Sequence, residues 1–95
     1  MDLETVLDLA PAVSTLPLGE DLSVFNAETG HTLALNRTAA DILALIDGST
    51  SLAQISTVVA SAYQRSVPEV ETVVGEVAES LLRHGAVTVG GLAPV

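Results

Sequence analysis

The chain has no cysteine and no tryptophan, and it contains one phenylalanine and one tyrosine. The absence of cysteine excludes disulfide bonds, thiolate metal sites and cysteine nucleophiles. Because aromatic side chains are so few, a core has to be built from Leu, Ile, Val and Ala. Hydrophobic residues make up 48% of the 95 residues, which indicates one small domain with a core rather than a disordered segment.

Positive charge is equally scarce, because twelve acidic residues face only Arg37, Arg65 and Arg83, and the formal net charge is −9. Nucleic-acid binding draws its affinity from Lys and Arg side chains that displace the counterions of phosphates. Three scattered arginines do not make such a surface, and the same argument excludes binding to anionic lipid. The composition favours a protein or peptide partner that is neutral or basic where it contacts the chain.

Long hydrophobic runs are also missing. No run approaches the roughly 20 apolar residues that cross a bilayer, and the acidic start lacks the basic region of a signal peptide. These features predict a soluble, cytoplasmic protein. Residues 1–11 are expected to be a tail or a short helix, because Pro11 interrupts a longer one.

Three stretches before Asn36 favour β-strands, at residues 12–16, 22–25 and 31–35. The loop between the second and the third strand ends in Gly30, which is typical of a hairpin. Successive side chains of a strand point to opposite faces, so the residues of the third strand are divided between two faces. The first face carries His31, Leu33 and Leu35, and the second carries Thr32 and Ala34.

The stretch from Leu35 to Leu52 predicts two helices that are joined by a tight turn. Asn36 is a good N-cap for the first helix, and Gly48 is expected to end it. The hydroxyls of residues 49–51 can cap the second helix. Helical spacing places apolar residues on one side of the first helix, namely Ala39, Ile42, Leu43 and Ile46.

Two further helices complete the pattern. The second helix is expected to end near Gln64, and the third begins at Ser66 and Pro68 and stops at Gly85. Its apolar stripe consists of Val70, Val74, Val77 and Leu81, and Val73 lies beside this stripe. Residues 87–89 favour a short last strand. The predicted fold is therefore α+β and winged helix-turn-helix-like, with about three antiparallel strands followed by three helices.

Several short motifs in this order resemble the PqqD-like family of peptide chaperones, also called recognition elements for ribosomally made, modified peptides. The motifs are Phe25-x-x-x-x-Gly30, Leu35-Asn36-x-Thr38-Ala39, Leu45-x-Asp47-Gly48, Leu52-x-x-Ile55 and Leu81-x-x-x-Gly85. The similarity covers residues 12–89, which are expected to form one domain, and residues 90–95 are expected to be a tail.

The resemblance implies a winged helix that has lost DNA binding and grips the leader of a precursor peptide. In the family, the leader adds as a strand beside the third strand and packs into a cleft against the third helix. Carried over to this chain, the peptide-binding residues are His31, Thr32, Leu33, Ala34, Leu35, Val70, Val73, Val74 and Val77. Backbone hydrogen bonding supports this mode of binding, because an uncovered strand offers its N–H and C=O groups to a guest strand. Gly75 is expected to leave room for a guest side chain.

The implied partners are the precursor leader peptide and a leader peptidase or another modifying enzyme. Among free-standing members of the family, the lasso-peptide type is favoured. An exposed edge strand would also allow a homodimer. The alternatives are an acidic winged-helix domain for protein interaction or regulation, and a degenerate DNA-binding domain.

No constellation of residues predicts catalysis, a metal site or a cofactor. His31 and His84 are far apart in sequence and lie in no metal-binding spacing. The hypothesis of a carrier protein is disfavoured, because Thr50 precedes Ser51-Leu52 where such a protein has Asp. DNA binding is disfavoured because the third helix, which would enter the major groove, is rich in glutamate. Its acidic residues are Glu69, Glu71, Glu76 and Glu79.

Overall fold

The computed structural model describes residues 2–90, which form five strands and three helices. The strands are β1 (Val6–Leu9), β2 (Val13–Leu18), β3 (Asp21–Asn26), β4 (Thr32–Leu35) and β5 (Val87–Gly90). The helices are α1 (Arg37–Ala44), α2 (Leu52–Tyr63) and α3 (Val67–Arg83). The α+β class, the three consecutive antiparallel strands and the three helices that follow them are confirmed.

The three predicted strands form one antiparallel sheet in the order β2-β3-β4. Cross-strand partners share a face of the sheet, so Phe25 of β3 lies with Ser14 of β2 and with Thr32 of β4. We call this solvent-facing side the outer face. The inner face packs on the helices and contains Val24, which is buried.

The start of the chain differs from the prediction, because residues 6–9 form a strand and not a tail or a helix. β1 pairs antiparallel with β5, with Leu7 opposite Val89, and the Leu7 side chain is fully buried. The partner strand lies at the other end of the described chain, so no local pattern could reveal the pairing. The tail predicted at 90–95 lies outside the described residues, apart from Gly90 at the end of β5.

Helix α1 starts at the predicted cap but ends earlier than predicted. The side-chain Oδ1 of Asn36 accepts a hydrogen bond of 2.9 Å from the N–H of Ala39. Leu45, not Gly48, caps the C-terminal end. The chain then turns through Gly48 at φ 81°, and Ile46 remains buried in this turn.

Helices α2 and α3 follow the predicted bounds closely. Ser51 and Gln54 form a capping box at the start of α2, and Gln64 ends this helix in a left-handed conformation. Pro68 lies in the first turn of α3, whereas the side chain of Ser66 makes no capping hydrogen bond. Gly85, at φ 73°, follows the end of α3.

The core lies between the helices, β1 and the inner face of the sheet. Its largest fully buried apolar side chains are Leu7, Ile42, Leu52, Ile55, Val74 and Leu81. Asn26 is a buried polar residue at its edge. The amide Nδ2 of Asn26 donates to the carbonyl of Gly85 at 2.9 Å, and its Oδ1 accepts from the N–H of Glu28 at 2.9 Å. This side chain therefore joins the β3–β4 hairpin to the end of α3.

Candidate functional site

The side of β4 that faces away from β3 is an open edge of the sheet in the described part of the chain. The N–H of Asn26 donates to the carbonyl of His31 at 2.9 Å, so this pair is of the hydrogen-bonded kind. Bonded and non-bonded pairs alternate along an antiparallel ladder. Thr32 and Ala34 therefore direct both their N–H and their C=O away from β3. The main chain of these two residues is available to a further strand.

The opposite edge of the same sheet is much poorer in donors. By the same alternation, Val13, Thr15 and Pro17 of β2 face away from β3. The N–H of Val13 donates to the carbonyl of Ala10 at 3.1 Å, and proline has no N–H. Among the described residues of β2, Thr15 alone remains as an outward donor. Proline at this position is a common protection of an edge strand.

Strand β5 has a second open edge within the described range, since it pairs only with β1. The N–H of Ala10 donates to the carbonyl of Ala86 at 3.0 Å, so Val87 and Val89 face away from β1. The main chain alone therefore does not decide which edge binds a guest strand, and the surroundings of each edge matter.

A cleft of about 330 Å³ opens where β4 ends and connects this edge to α2 and α3. Asn36 and Thr38, which directly follow β4, form one side of it. The complete lining is Asn36, Thr38, Val59, Tyr63, Arg65, Glu69, Val70 and Val73. The position of the cleft makes β4, rather than β5, the edge at which a guest strand would also find room for its side chains.

The cleft combines aliphatic walls with a polar rim. Val59 and Val70 are buried, and Val73 is 38% exposed. At the rim, Arg65 pairs with Glu69 at 3.4 Å, and both side chains are largely exposed, so the pair adds little stability. The hydroxyl of Tyr63 donates to a carboxylate oxygen of α1 and fixes the ring beside the aliphatic walls. Such a site suits a large apolar side chain.

The structure brings some predicted residues of α3 to this cleft and keeps others away. Val70 and Val73 line it. Val74 is fully buried and belongs to the core, because it lies one position further around the helix. Val77 is partly buried against the core. Gly75 lines a different groove, beside Glu71 and Glu76 of the same helix.

The predicted residues of the third strand are divided in the same way. Thr32 and Ala34 expose their side chains on the outer face. Leu33 is half-buried on the inner face, and Leu35 is part of the core. His31 is exposed and precedes β4 instead of belonging to it.

Sequence reasoning missed the contributions of α2 and of the α2–α3 connection to the cleft. Tyr63, Arg65 and Glu69 come together only because Gln64 turns the chain with a positive φ between the two helices. The one local signal is that Arg65 and Glu69 carry opposite charges four positions apart, on either side of the start of α3.

Metal binding finds no support in residues 2–90, where no group of three or more His, Asp or Glu side chains could hold an ion. Within that range, no helix is long and apolar enough to cross a membrane. The ring Nδ1 of His84 lies 2.8 Å from the carbonyl of Ser80, at the C-terminal end of α3.

The fold and the open edge define a small winged-helix-like protein with one accessible strand beside a helical cleft. The family model of coenzyme PQQ synthesis protein D (PqqD) matches residues 22–87. The chain belongs to this family. The match begins in β3 and ends in β5, and it includes the whole candidate site.

Two solved structures share the fold. The chain is similar to TbiB1 in complex with the TbiA(beta) leader peptide, with a TM-score of 0.77, 17% identity, and coverage of 92% of this chain and 99% of that one. It is also similar to a lasso peptide synthetase B1 complexed with the leader peptide, with a TM-score of 0.76, 22% identity, and coverage of 86% and 96%. The search of curated proteins finds no match.

Proposed function

We propose that this protein is a non-catalytic recognition element that binds the leader of a ribosomally synthesised precursor peptide and delivers it to a processing enzyme. The observation that carries the proposal is the outward main chain of Thr32 and Ala34 beside the cleft. Membership of the PqqD family and the likeness to two proteins solved with leader peptides support it. The second of these is a lasso peptide synthetase B1, which favours a lasso-peptide precursor and a leader peptidase.

The leader would add to β4 as a fourth strand of the sheet. Thr32 and Ala34 offer two N–H and two C=O groups, and each hydrogen bond contributes about 1 kcal/mol net. Ordering the peptide offsets part of this gain. Main-chain pairing therefore sets the register, and apolar burial in the cleft has to supply much of the affinity and the selectivity.

Alternate side chains of the guest strand would point to opposite faces of the sheet. Those on the inner side would meet Leu33, Val70 and Val73, and the cleft has room for a large apolar residue. His31, which precedes β4, and Val77, which is partly buried against the core, are not among the residues that line the cleft. Binding of this kind requires no cofactor, and it suits a cytoplasmic protein that meets newly made peptides.

The regulatory and DNA-binding alternatives gain no observation from the structure. The exposed side of α3, which would face DNA, carries Glu69 and Glu76 in the described range. Carboxylates there would repel phosphates. An acidic winged helix that binds another folded protein remains the second hypothesis.

The proposal is tested by fluorescence anisotropy with the labelled leader of the cognate precursor peptide. Ala34→Pro removes an outward N–H of β4 without disturbing the bonds to β3, and it should weaken leader binding at least about fivefold, because a hydrogen bond of about 1 kcal/mol is lost. Val73→Glu should weaken binding at least tenfold, because it places a charge on the apolar wall of the cleft. Circular dichroism should show both variants folded.

Val89→Pro is the matched control, because it makes the same change at an outward position of β5. It should leave leader affinity unchanged. Loss of binding in Val89→Pro, with normal binding in Ala34→Pro, would move the site to β5. Normal binding in both would rule out strand addition.

A further inference from the structure

The outer face of the sheet carries an apolar cluster and little charge, although the protein is strongly acidic. Asp21 is the only charged strand residue on this side. Leu16 is 61% exposed there, and Phe25, the only phenylalanine of the chain, is 42% exposed. Leu18 is exposed on the same side. A cluster of large apolar side chains on a small protein is typical of an interaction surface.

This face is continuous with the proposed leader-binding edge. Phe25 lies directly opposite Thr32, and Ser23 lies opposite Ala34. A strand added to β4 would place half of its side chains on the outer face, next to Thr32 and Ala34, because residues alternate between the two faces. The other half would be covered by the cleft. Only the outer face would present the bound leader together with apolar residues of the protein.

We infer that the processing enzyme docks on the outer face through an uncharged, apolar surface, and that it contacts the bound leader at the same time. The inference rests on the proposed function and names the partner of the same site. An enzyme that acts on the peptide has to reach it from an open side, and the outer face is the open side of the added strand. The absence of charge around Leu16 and Phe25 means that little charge has to be desolvated on contact.

A composite surface of this kind couples the two binding events. The enzyme gains contacts only when the leader is in place, so it should bind the loaded protein more tightly than the empty one. By linkage, the enzyme should strengthen leader binding by the same factor. The module would thereby deliver loaded molecules in preference to empty ones.

The test uses the purified chain, the cognate leader peptide and the cognate leader peptidase. Surface plasmon resonance measures the binding of the peptidase to the immobilised protein with and without saturating leader, and anisotropy measures the affinity of the leader. Leu16→Glu places a charge on the outer face, away from β4. It should weaken peptidase binding at least tenfold, as is typical for a central apolar contact, and it should change the leader Kd less than twofold. Phe25→Ser should also weaken the binding of the peptidase.

Val58→Glu is the matched control, because Val58 is 49% exposed on α2, outside the sheet. It should leave both affinities unchanged. Normal peptidase binding in both Leu16→Glu and Phe25→Ser, or equal peptidase binding with and without leader, would overturn the inference while leaving leader recognition intact. Failure of the wild-type protein to bind leader would instead overturn the proposed function and, with it, this inference.

Discussion

Asn26 is the residue on which the junction of the hairpin and α3 depends. It is buried, its Nδ2 donates to the carbonyl of Gly85, and its Oδ1 accepts from the N–H of Glu28. Nothing in the local sequence distinguishes it from an ordinary hairpin residue. Its role depends on a contact between positions 59 residues apart in the chain. The residues next to Asn26 in the sequence do not reveal this contact.

Asn26→Asp should lower the free energy of unfolding by about 2 kcal/mol, because a buried carbonyl loses its donor and meets a carboxylate. Urea denaturation measures this change. Asn36→Asp is the matched control, since aspartate is as good an N-cap as asparagine, and it should change stability by no more than about 0.5 kcal/mol. Equal losses in the two variants would show that added negative charge, not the Gly85 contact, causes the effect.

Asp47 is the residue that makes the α1–α2 turn sensitive to acid. Its carboxylate accepts hydrogen bonds from the N–H groups of Ser49 and Thr50 and from the Thr50 hydroxyl. These bonds favour the charged form and lower the pKa of Asp47 below its usual value of 3.8. A carboxyl group with a lowered pKa stabilises the fold above its unfolded-state pKa, and this contribution is lost as the pH falls through the folded-state pKa.

Asp47→Ala should therefore lower the melting temperature at pH 5 to 7, and the difference from the wild type should shrink as the pH falls below 3.8. Thermal unfolding followed by circular dichroism across this range measures it. Asp47→Asn keeps an acceptor oxygen but does not titrate, so its penalty should be smaller at neutral pH. A penalty for Asp47→Ala that is independent of pH would contradict the assigned cause.

At the scale of elements, the sequence predicts what is decided locally. The cap at Asn36, a hydroxyl cap from residues 49–51 and the end of α2 near Gln64 depend on neighbouring residues. The structure has all three, and Ser51 is the hydroxyl residue that caps α2. The open edge of β4 could be predicted as well, because the hairpin before it and the helix after it leave one side of this strand uncovered.

The elements that were missed depend on distant partners. Strand β1 was missed because it pairs with β5. Helix α1 ends at Ala44 with Leu45 as its cap, and Gly48 lies in the turn that follows, where its N–H donates to the carbonyl of the distant Leu7 at 3.0 Å. The core position of Val74 depends on the rotation of α3, which a stripe of several valines does not fix. Of the valines predicted for the cleft, Val70 and Val73 line it, whereas Val74 lies in the core.

Replacement of Gly48 or of Gly75 by alanine should change the stability of the protein in opposite directions. Gly48 has φ 81°, and a Cβ there would lie 3.1 Å from a carboxylate oxygen of Asp8, whereas a Cβ on Gly75 in α3 would meet nothing within 4 Å. Gly48→Ala should destabilise the protein by about 1–2 kcal/mol. Gly75→Ala should stabilise it by about 0.5–1 kcal/mol, because it restricts the unfolded chain and favours the helix. Urea denaturation of both variants measures the signs, and a stabilising Gly48→Ala would contradict the turn geometry.

At the scale of the whole molecule, the charge distribution sets the response to salt. The net charge is −9, yet β4 contains no charged residue, and the charged pair at the rim of the cleft sums to zero. The affinity for the leader should therefore change less than about threefold between roughly 50 and 200 mM salt, whereas nucleic-acid binding falls by about 10³–10⁵ over that range. Anisotropy at both salt concentrations measures this, and a steep loss would favour an electrostatic partner.

The pairing of β1 with β5 has a consequence for the time at which the protein becomes complete. Val6 lies opposite Gly90, so β1 is made before the other described strands and gains its partner only when β5 has been made. Until then, Leu7 lacks the cover that buries it in the finished fold. Contacts between residues so distant in sequence form late, since the intervening chain must be ordered first. We expect the β2–β3–β4 sheet and the helices to assemble first, and the β1–β5 pair to form after them.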